Sequence, residues 1–268
     1  IICVDLDADT LYPITIDPIT TTSFRTLIHQ SDASNNRFGA SMTVGDFNND
    51  GIDDLVVGAD RNDTNNPEEG IAQLFAGSTS NPLTPAGWSY NPGPTNARCG
   101  AQVAAGDLDQ QNGDDLVVLC QGLSSLNFFL NTGAGLPLSP TFSVPTTGTI
   151  NDIQSMLVAE LDGTGRPELV LGTQGLVRVF RVDAGNSSAT EVKTVTISSS
   201  APPHIAKMRL TAADQRDDIA VEVSRVISFL EGNQTNILVA STAASLNFSS
   251  FSTIAFAPVD YDGNGVSD

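Results

Sequence analysis

The stretch RFGASMTVGDFNNDGIDDLVVGA, running from Arg37 to Ala59, decides how the rest of the chain is read. Within it Asp46, Asn48, Asp50 and Asp54 hold the first, third, fifth and ninth places of a nine-residue loop, with Gly51 sixth and Ile52 seventh. Alternate residues of a tight turn can aim side-chain oxygens inward, and the backbone carbonyl of the seventh residue adds another. A hard cation such as Ca²⁺, which takes about six to eight oxygens, is suited by such a loop. Gly51 has no Cβ and permits positive φ at the sharp bend. Strand-like runs flank the loop, Ser41 to Gly45 before it and Leu55 to Gly58 after it, so it is expected to join a β-hairpin.

The loop recurs along the chain. Asp107, Asp109, Gln111, Gly113 and Asp115 take the ligand places of DLDQQNGDD, and Glu160, Asp162, Thr164, Arg166 and Glu168 those of ELDGTGRPE. Asp260, Asp262, Asn264, Val266 and Asp268 take those of DYDGNGVSD. In each copy the seventh residue acts through its carbonyl. A shortened version, Asp214 to Asp218, lies between the last two. The final acidic residues stand at 54, 115, 168, 218 and 268, at intervals of 61, 53, 50 and 50 residues.

Leu-Val-Val or Leu-Val-Leu follows the marker in the first three copies, and the chain opens on a comparable run, Ile1-Ile2-Cys3-Val4. The two ends are therefore expected to form one split repeat, residues 1–36 with 250–268, in a single domain spanning 1–268. The further repeats run approximately 37–97, 98–150, 151–200 and 201–249. Each carries about four short β-rich runs between Gly, Pro, Asn and Ser clusters, with helical periodicity nearly absent. Four-stranded units at this period predict an all-β chain folded as a β-propeller, whose blades bury their faces against one another.

Composition sets further bounds. Acidic residues number 31 against 12 basic, a net charge of −19, which argues against nucleic acid and against an anionic membrane surface. No apolar run approaches the roughly 18 residues of a membrane helix, so direct membrane insertion is not expected. The opening residues IICVDLDAD lack the basic and long apolar regions of a signal peptide, so either a leader has been removed or the chain is an excerpt. Of the three cysteines, Cys99 and Cys120 lie on the two arms of the second predicted hairpin, within reach of a disulfide; the plainer alternative is three small buried hydrophobes.

Phe38-Gly39-Ala40-Ser41, followed by GDFNNDGIDDLVVGA from Gly45, resembles the FG-GAP repeat of integrin α-chain propellers and of many bacterial surface proteins. GIAQLFAGSTSNPLTPAGWSY from Gly70 and RCGAQVAAGDLD from Arg98 look like the bacterial form, with Cys99 in the place of the Phe. FFLNTGAGLPLSPTF, from Phe128 to Phe142, is similar to the related VCBS-type repeat. The resemblance implies a propeller with calcium in the loop between the first and second strands of a blade. It also implies seven blades, so the five repeats stand either for a compact ring closed by the split repeat or for an excerpt of a larger propeller.

The candidate metal loops differ in quality. The first and last offer oxygen ligands at every expected place, with glycine at the sixth. The second puts Asn112 at the glycine place and the amide of Gln111 fifth; the third substitutes Glu160 and Glu168 for aspartates and Thr164 at the fifth place. The shortened loop is too small to wrap an ion, so Asp214, Asp217 and Asp218 read as turn residues with Arg216 as counter-charge. The plain alternative for every loop is an Asx-rich turn bonding its own backbone. Bound calcium would relieve carboxylate repulsion and stabilise the native state by mass action. Extracellular modules have affinities of about 10⁻⁴ to 10⁻³ M, which points to a secreted or cell-surface location.

Catalysis finds little support, since the two histidines, His29 and His204, belong to no H-E-x-x-H motif and no G-x-S-x-G is present. The expectation is a non-enzymatic recognition or adhesion module that binds a protein or glycan on the cell surface or matrix. A lectin and a structural subunit of a surface assembly are the alternatives. Recognition would fall on the insertion at residues 60–70 and the linker at 81–96, where Trp88 and Tyr90 either form a sugar-stacking platform or pack between blades. Asn62, Asn186, Asn233 and Asn247 head N-x-S/T sequons.

Overall fold

A computed structural model describes residues 36–79, 83–146, 152–197, 201–211, 214–241, 245–247 and 266–267. The predicted split repeat lies outside them apart from Asn36, Val266 and Ser267, and with it Asp260, Asp262, Asn264, Asp268, Cys3 and His29. Among the described residues the regular structure is β, with two single turns of 3₁₀ helix.

Four antiparallel sheets follow one another, each meandering in sequence order. Blade one comprises β1 (Ser41–Gly45), β2 (Asp54–Ala59), β3 (Ile71–Ala76) and β4 (Thr84–Tyr90). Blade two comprises β5 (Cys99–Gly106), β6 (Asp115–Cys120), β7 (Ser125–Phe129) and β8 (Phe142–Pro145). Blade three comprises β9 (Ser155–Ala159), β10 (Glu168–Thr173), β11 (Leu176–Asp183) and β12 (Ser188–Thr196). Blade four comprises β13 (His204–Met208), β14 (Asp218–Val223), β15 (Val226–Asn233) and β16 (Ile237–Ala240), with β17 (Leu246–Asn247) on the same edge of β15. The first strands neighbour each other in turn, β1 with β5, β5 with β9 and β9 with β13. This radial order of four-stranded sheets is that of a β-propeller.

Second strands read as unbroken apolar runs, DLVVGA, DLVVLC, ELVLGT and DIAVEV, because both of their faces are covered. Facing sheets of successive described blades pack in three apolar layers. Phe47, Val56 and Trp88 of blade one meet Val103, Val118 and Phe129 of blade two. Leu119 and Phe128 meet Met156, Leu171 and Phe180 in the next layer, and Val170 and Val179 meet Val221 and Leu238 in the third. Fully burying one such side chain is worth about 1.5–3 kcal/mol, so these layers are the main cohesion between blades. The backbones also close tightly: a Cβ on Gly58 would stand 2.2 Å from the Gly100 carbonyl oxygen, which accepts the Ser41 hydroxyl at 2.8 Å.

A second device joins successive blades. The amide of Asp114 donates to the carbonyl of Asp46 at 3.2 Å, and the Asp114 carboxylate accepts the amide of Asp46 at 2.9 Å. Asp217 repeats the pair on Glu160, at 2.7 and 3.0 Å, and Ser267 repeats it on Arg209, at 2.6 and 2.9 Å. Each of these residues immediately precedes the last acidic residue of its loop, the eighth place of the nine-residue loops, and each grips the first place of the loop in the preceding blade. Pro167, which has no amide hydrogen, holds that place in blade three; there the Arg166 guanidinium reaches the Leu108 carbonyl at 3.5 Å and the Gln110 amide donates to the Gly165 carbonyl at 2.9 Å. At the other end of the series Met42 and Val44 are 63% and 60% exposed, whereas Val103 and Met156, of the same register as Met42, are buried. The four described sheets thus do not close a ring.

Candidate metal centres

Each nine-residue loop joins the first and second strands of its blade at one end of the sheet. The three full loops in the described residues share a backbone path. Their fourth and sixth residues both have positive φ: Asn49 and Gly51 at 64° and 81°, Gln110 and Asn112 at 62° and 60°, Gly163 and Gly165 at 77° each. Asn112 thus holds the left-handed bend expected of it, as Asn tolerates this region better than most residues. The need at the fourth place is visible in the sequence only once the copies are aligned.

Hydrogen bonds repeat with the path. The amide of the second residue donates to the final carboxylate in every described blade: Phe47 to Asp54, Leu108 to Asp115, Leu161 to Glu168 and Leu210 to Asp218. The last of these spans one residue more than the others, so the loop of blade four, expected to be shortened, runs ten residues from Arg209 to Asp218. In the three full loops the amide of the fifth residue donates to the carboxylate of the first and to the side-chain oxygen of the third. Asp50 thus meets Asp46 and Asn48 at 3.1 and 2.9 Å, Gln111 meets Asp107 and Asp109 at 2.9 Å each, and Thr164 meets Glu160 and Asp162 at 3.2 and 3.0 Å. The Asx-turn bonding considered as the plain alternative is therefore real, and it gathers the ligand places on one side of the turn.

Among the described residues two groups of three carboxylates close to within 4.8 Å of one another, Asp107 with Asp109 and Asp115, and Glu160 with Asp162 and Glu168. Loop one, whose composition is the fuller, does not form such a group. Both oxygens of Asp46 bond the loop backbone, at Asp50 and Gly51, and Asp50 turns Oδ1 to the Ile52 amide. Gln111 is exposed and Gly113 has φ of 98°; Val266 is half-buried.

In loop two Asp115 is fully buried and accepts amides from Leu108 (2.9 Å), Asp109 (3.2 Å) and Asn131 (2.7 Å). Burial pushes its carboxyl up to about 7 against the usual 3.8, the amides oppose this, and Asp109 and Asp107 add to it. Burial likewise raises Asp54, Asp109, Asp114 and Asp218. Arg166, at the Leu108 carbonyl, favours the charged form of Asp109 but forms no ion pair with the three carboxylates. A buried carboxylate beside two others is a donor set of hard oxygens that fits a divalent ion such as Ca²⁺. Asp107, Asp109 and Asp115 would hold it, with Gln111 and the Gly113 carbonyl at the remaining loop places. Its charge would offset the mutual repulsion of the three.

Loop three is arranged differently. One guanidinium nitrogen of Arg181, on β11, lies 2.5 Å from Asp162 Oδ2 and 2.6 Å from Glu168 Oε1. Burial works against ionisation of Asp162, but hydrogen bonds from Thr164 and the Arg181 guanidinium outweigh it and hold the carboxyl below its usual range. Glu168 is raised by burial, with Arg181 opposing. In the loop of blade four Arg216 pairs with Asp214 at 2.7 Å and donates to the Gly232 carbonyl at 3.1 Å, the counter-charge expected of it.

The other sequence candidates resolve variously. Trp88 is buried, edge-on to Phe129 at 5.3 Å, and its indole donates to the Pro137 carbonyl at 2.9 Å; Tyr90 meets the same ring at 4.8 Å. The pair packs between blades, and the sugar-platform alternative fails for Trp88. The insertion at 60–70 is packed rather than loose: Asp60 takes Arg37 and Arg98, and Glu69 is fully buried. Asn62 is buried as well, so its sequon is sealed in the folded chain, whereas Asn186 is exposed. Cys99 and Cys120, register partners on β5 and β6, are joined in a disulfide. His204 is exposed on β13. Sequence reasoning missed the eighth-place residues, Asn131 and Arg181. The first could have been read from the alignment of the repeats, and Arg181 from a second arginine in the otherwise apolar run LVRVFRVD.

Residues 38–75 match the FG-GAP repeat family. That repeat covers β1 to β3 and the first metal loop, and with the four blade-like sheets it marks an FG-GAP-type β-propeller architecture. FG-GAP repeats often bind Ca²⁺ and occur in extracellular proteins, and the loops described above carry acidic clusters able to hold a metal. No curated protein matches the chain. No helix among the described residues is long and apolar enough to cross a membrane.

Proposed function

We propose that the chain is an extracellular, calcium-stabilised β-propeller that serves as a non-enzymatic recognition or adhesion module for a protein or glycan of the cell surface or matrix. The observation that carries the reading is the loop of Asp107, Asp109 and Asp115. It sets three carboxylates within 4.8 Å at the junction of two blades, one of them fully buried. Such a group is costly without a counter-ion and is favoured by a divalent one.

Several observations support a role outside the cell. The matched repeat is of a kind found in extracellular proteins, the Cys99–Cys120 disulfide suits an oxidising compartment, and weak calcium loops fill only where calcium is plentiful. Recognition is assigned to the loops joining strands, because the blade faces are consumed by packing.

The test has two arms. Thermal melts are recorded in calcium-depleted buffer and at millimolar calcium, with Asp109→Asn as the loop variant; the expected result is a calcium-dependent rise in Tm that the variant reduces. Binding of the labelled chain to a glycan array and to cell surfaces is then compared with and without chelator. Identical melts in both buffers would overturn the calcium assignment, and absence of binding to either target would overturn the recognition assignment.

A further inference from the structure

The three full loops share one backbone and one hydrogen-bond pattern, yet only one has a side-chain cation lodged between its ligand places. Arg181 reaches loop three from β11, with Asp162 and Glu168 6% and 0% exposed at their side chains and its own side chain 31% exposed. Strand register identifies its counterparts. Phe180 pairs with Leu169 as Phe75 pairs with Leu55, Phe129 with Leu116 and Leu230 with Ile219. The residue that follows is Arg181 in blade three but Ala76, Leu130 and Glu231 in the other three. None of those can supply a positive charge.

The geometry points to Arg181 as a built-in replacement for the metal ion: its guanidinium takes the cation position of loop three, so this loop takes up no calcium while its homologues in blades one and two do. The inference rests on the calcium reading for the loops without an arginine. A guanidinium stays protonated at any physiological pH and is tethered to the sheet, so it neutralises its carboxylates whatever the calcium concentration. A single nitrogen meets both Asp162 and Glu168, the third- and ninth-place ligands, where a bound ion would also meet them. Glu160 completes the account. One of its oxygens accepts the amides of Gly163 and Thr164, and the other is buried without a hydrogen-bond partner, the remaining ligand of a site whose centre is already filled.

Blade four carries the same logic further. Arg209 stands where the other loops have an acidic first residue, so that first ligand place is a cation, and Arg216 holds Asp214. The three full loops therefore divide into two that call for calcium and one that its own arginine satisfies.

Calcium stoichiometry by isothermal titration of the full chain tests the inference directly. Arg181→Met should raise the stoichiometry by one ion and make the Tm more dependent on calcium than in the wild type. Glu160→Gln should leave the wild-type stoichiometry unchanged and, combined with Arg181→Met, should abolish the added ion. No gain of calcium in a folded Arg181→Met chain, or the loss of one ion on Glu160→Gln alone, would overturn the proposal. Should Arg181→Met fail to fold, Glu160→Gln alone still decides. Asp50→Ala, in loop one, separates the two readings: it should lose one ion with or without Arg181→Met. A wild-type chain that binds no calcium defeats the calcium assignment, whereas a chain that binds calcium but gains none on Arg181→Met defeats this inference alone.

Discussion

Loops two and three have the same length, the same pair of left-handed residues and the same amides donating to the same ligand places, but they manage charge in opposite ways. Loop two buries Asp115 against two further carboxylates; Arg166 favours the charged form of Asp109 from the Leu108 carbonyl without an ion pair to the group, and the Asp115 carboxyl is pushed up to about 7. Loop three places Arg181 between Asp162 and Glu168. Backbone geometry in a repeat protein is thus set by turn residues and ladder registers, while the charge state of the same turn is set by a side chain on a different strand. One substitution on the third strand is enough to change what a loop requires of its surroundings.

The largest expected effect separates the two loops by pH. A raised carboxyl in the native state means that the folded chain holds a proton which the unfolded chain has released. Its contribution to stability is therefore fully present below about pH 4 and is lost as pH rises through about 7. For Asp115 in calcium-depleted solution the loss amounts to roughly 4 kcal/mol. Asp162 runs the other way, since its lowered carboxyl contributes stability above the usual range that is lost on acidification. Carboxyl ¹³C titration by NMR should find Asp115 changing charge near neutrality and Asp162 below the ordinary aspartate range. An ordinary value for Asp115 would remove the distinction between the loops.

Next in size is the arginine itself. Taking away one partner of a largely buried pair leaves the other charge uncompensated, and Arg181→Met is expected to cost about 3 kcal/mol without calcium. Chemical denaturation in calcium-depleted buffer measures this, and recovery of the loss at millimolar calcium would sharpen the comparison by showing that one cation stands in for the other. Blade two is also cross-linked, from Cys99 to Cys120, where blade three has Thr173 at the place of Cys120. Replacing Cys99 and Cys120 together by serine should lower stability by about 3 kcal/mol through loss of a closed loop, read from the shift in denaturation midpoint.

The smallest effect concerns the grip between blades. Asp114→Ala removes an acceptor from the Asp46 amide at 2.9 Å, and a cost of about 1 kcal/mol is expected. Ala at Pro167, where the eighth-place bond is missing, should be close to neutral by the same measurement. Equal costs at the two sites would show that the hydrogen-bond pair adds nothing beyond the apolar layers.

Much of the fold was legible because the repeat announces itself. Ser41 to Gly45 falls where the alternation and the turn residues place it, and the second strand of blade one, expected from Leu55 to Gly58, gains a residue at either end. β4 reaches from Thr84 to Tyr90, since its pairing with β3 supplies order that its composition, rich in Pro, Gly and Ser, does not. Trp88 and Tyr90 were open between two roles because an aromatic residue at a strand end reads the same whether a sugar or a neighbouring blade covers it. Phe129, 41 residues further along the chain than Trp88, decides the matter.

By itself the sequence determined the period, the all-β class, the positions of the turns and which loop residues carry side-chain oxygens, all of which follow from local backbone preference and spacing. Only the tertiary structure decided which loop gathers its carboxylates, that Asp114 and Asp217 clamp the preceding blade, that Asn62 is sealed, and that Arg181 enters the third loop. Those outcomes depend on contacts across strands and blades, where the deciding partner is distant in sequence and where burial, rather than composition, sets the cost of a charge.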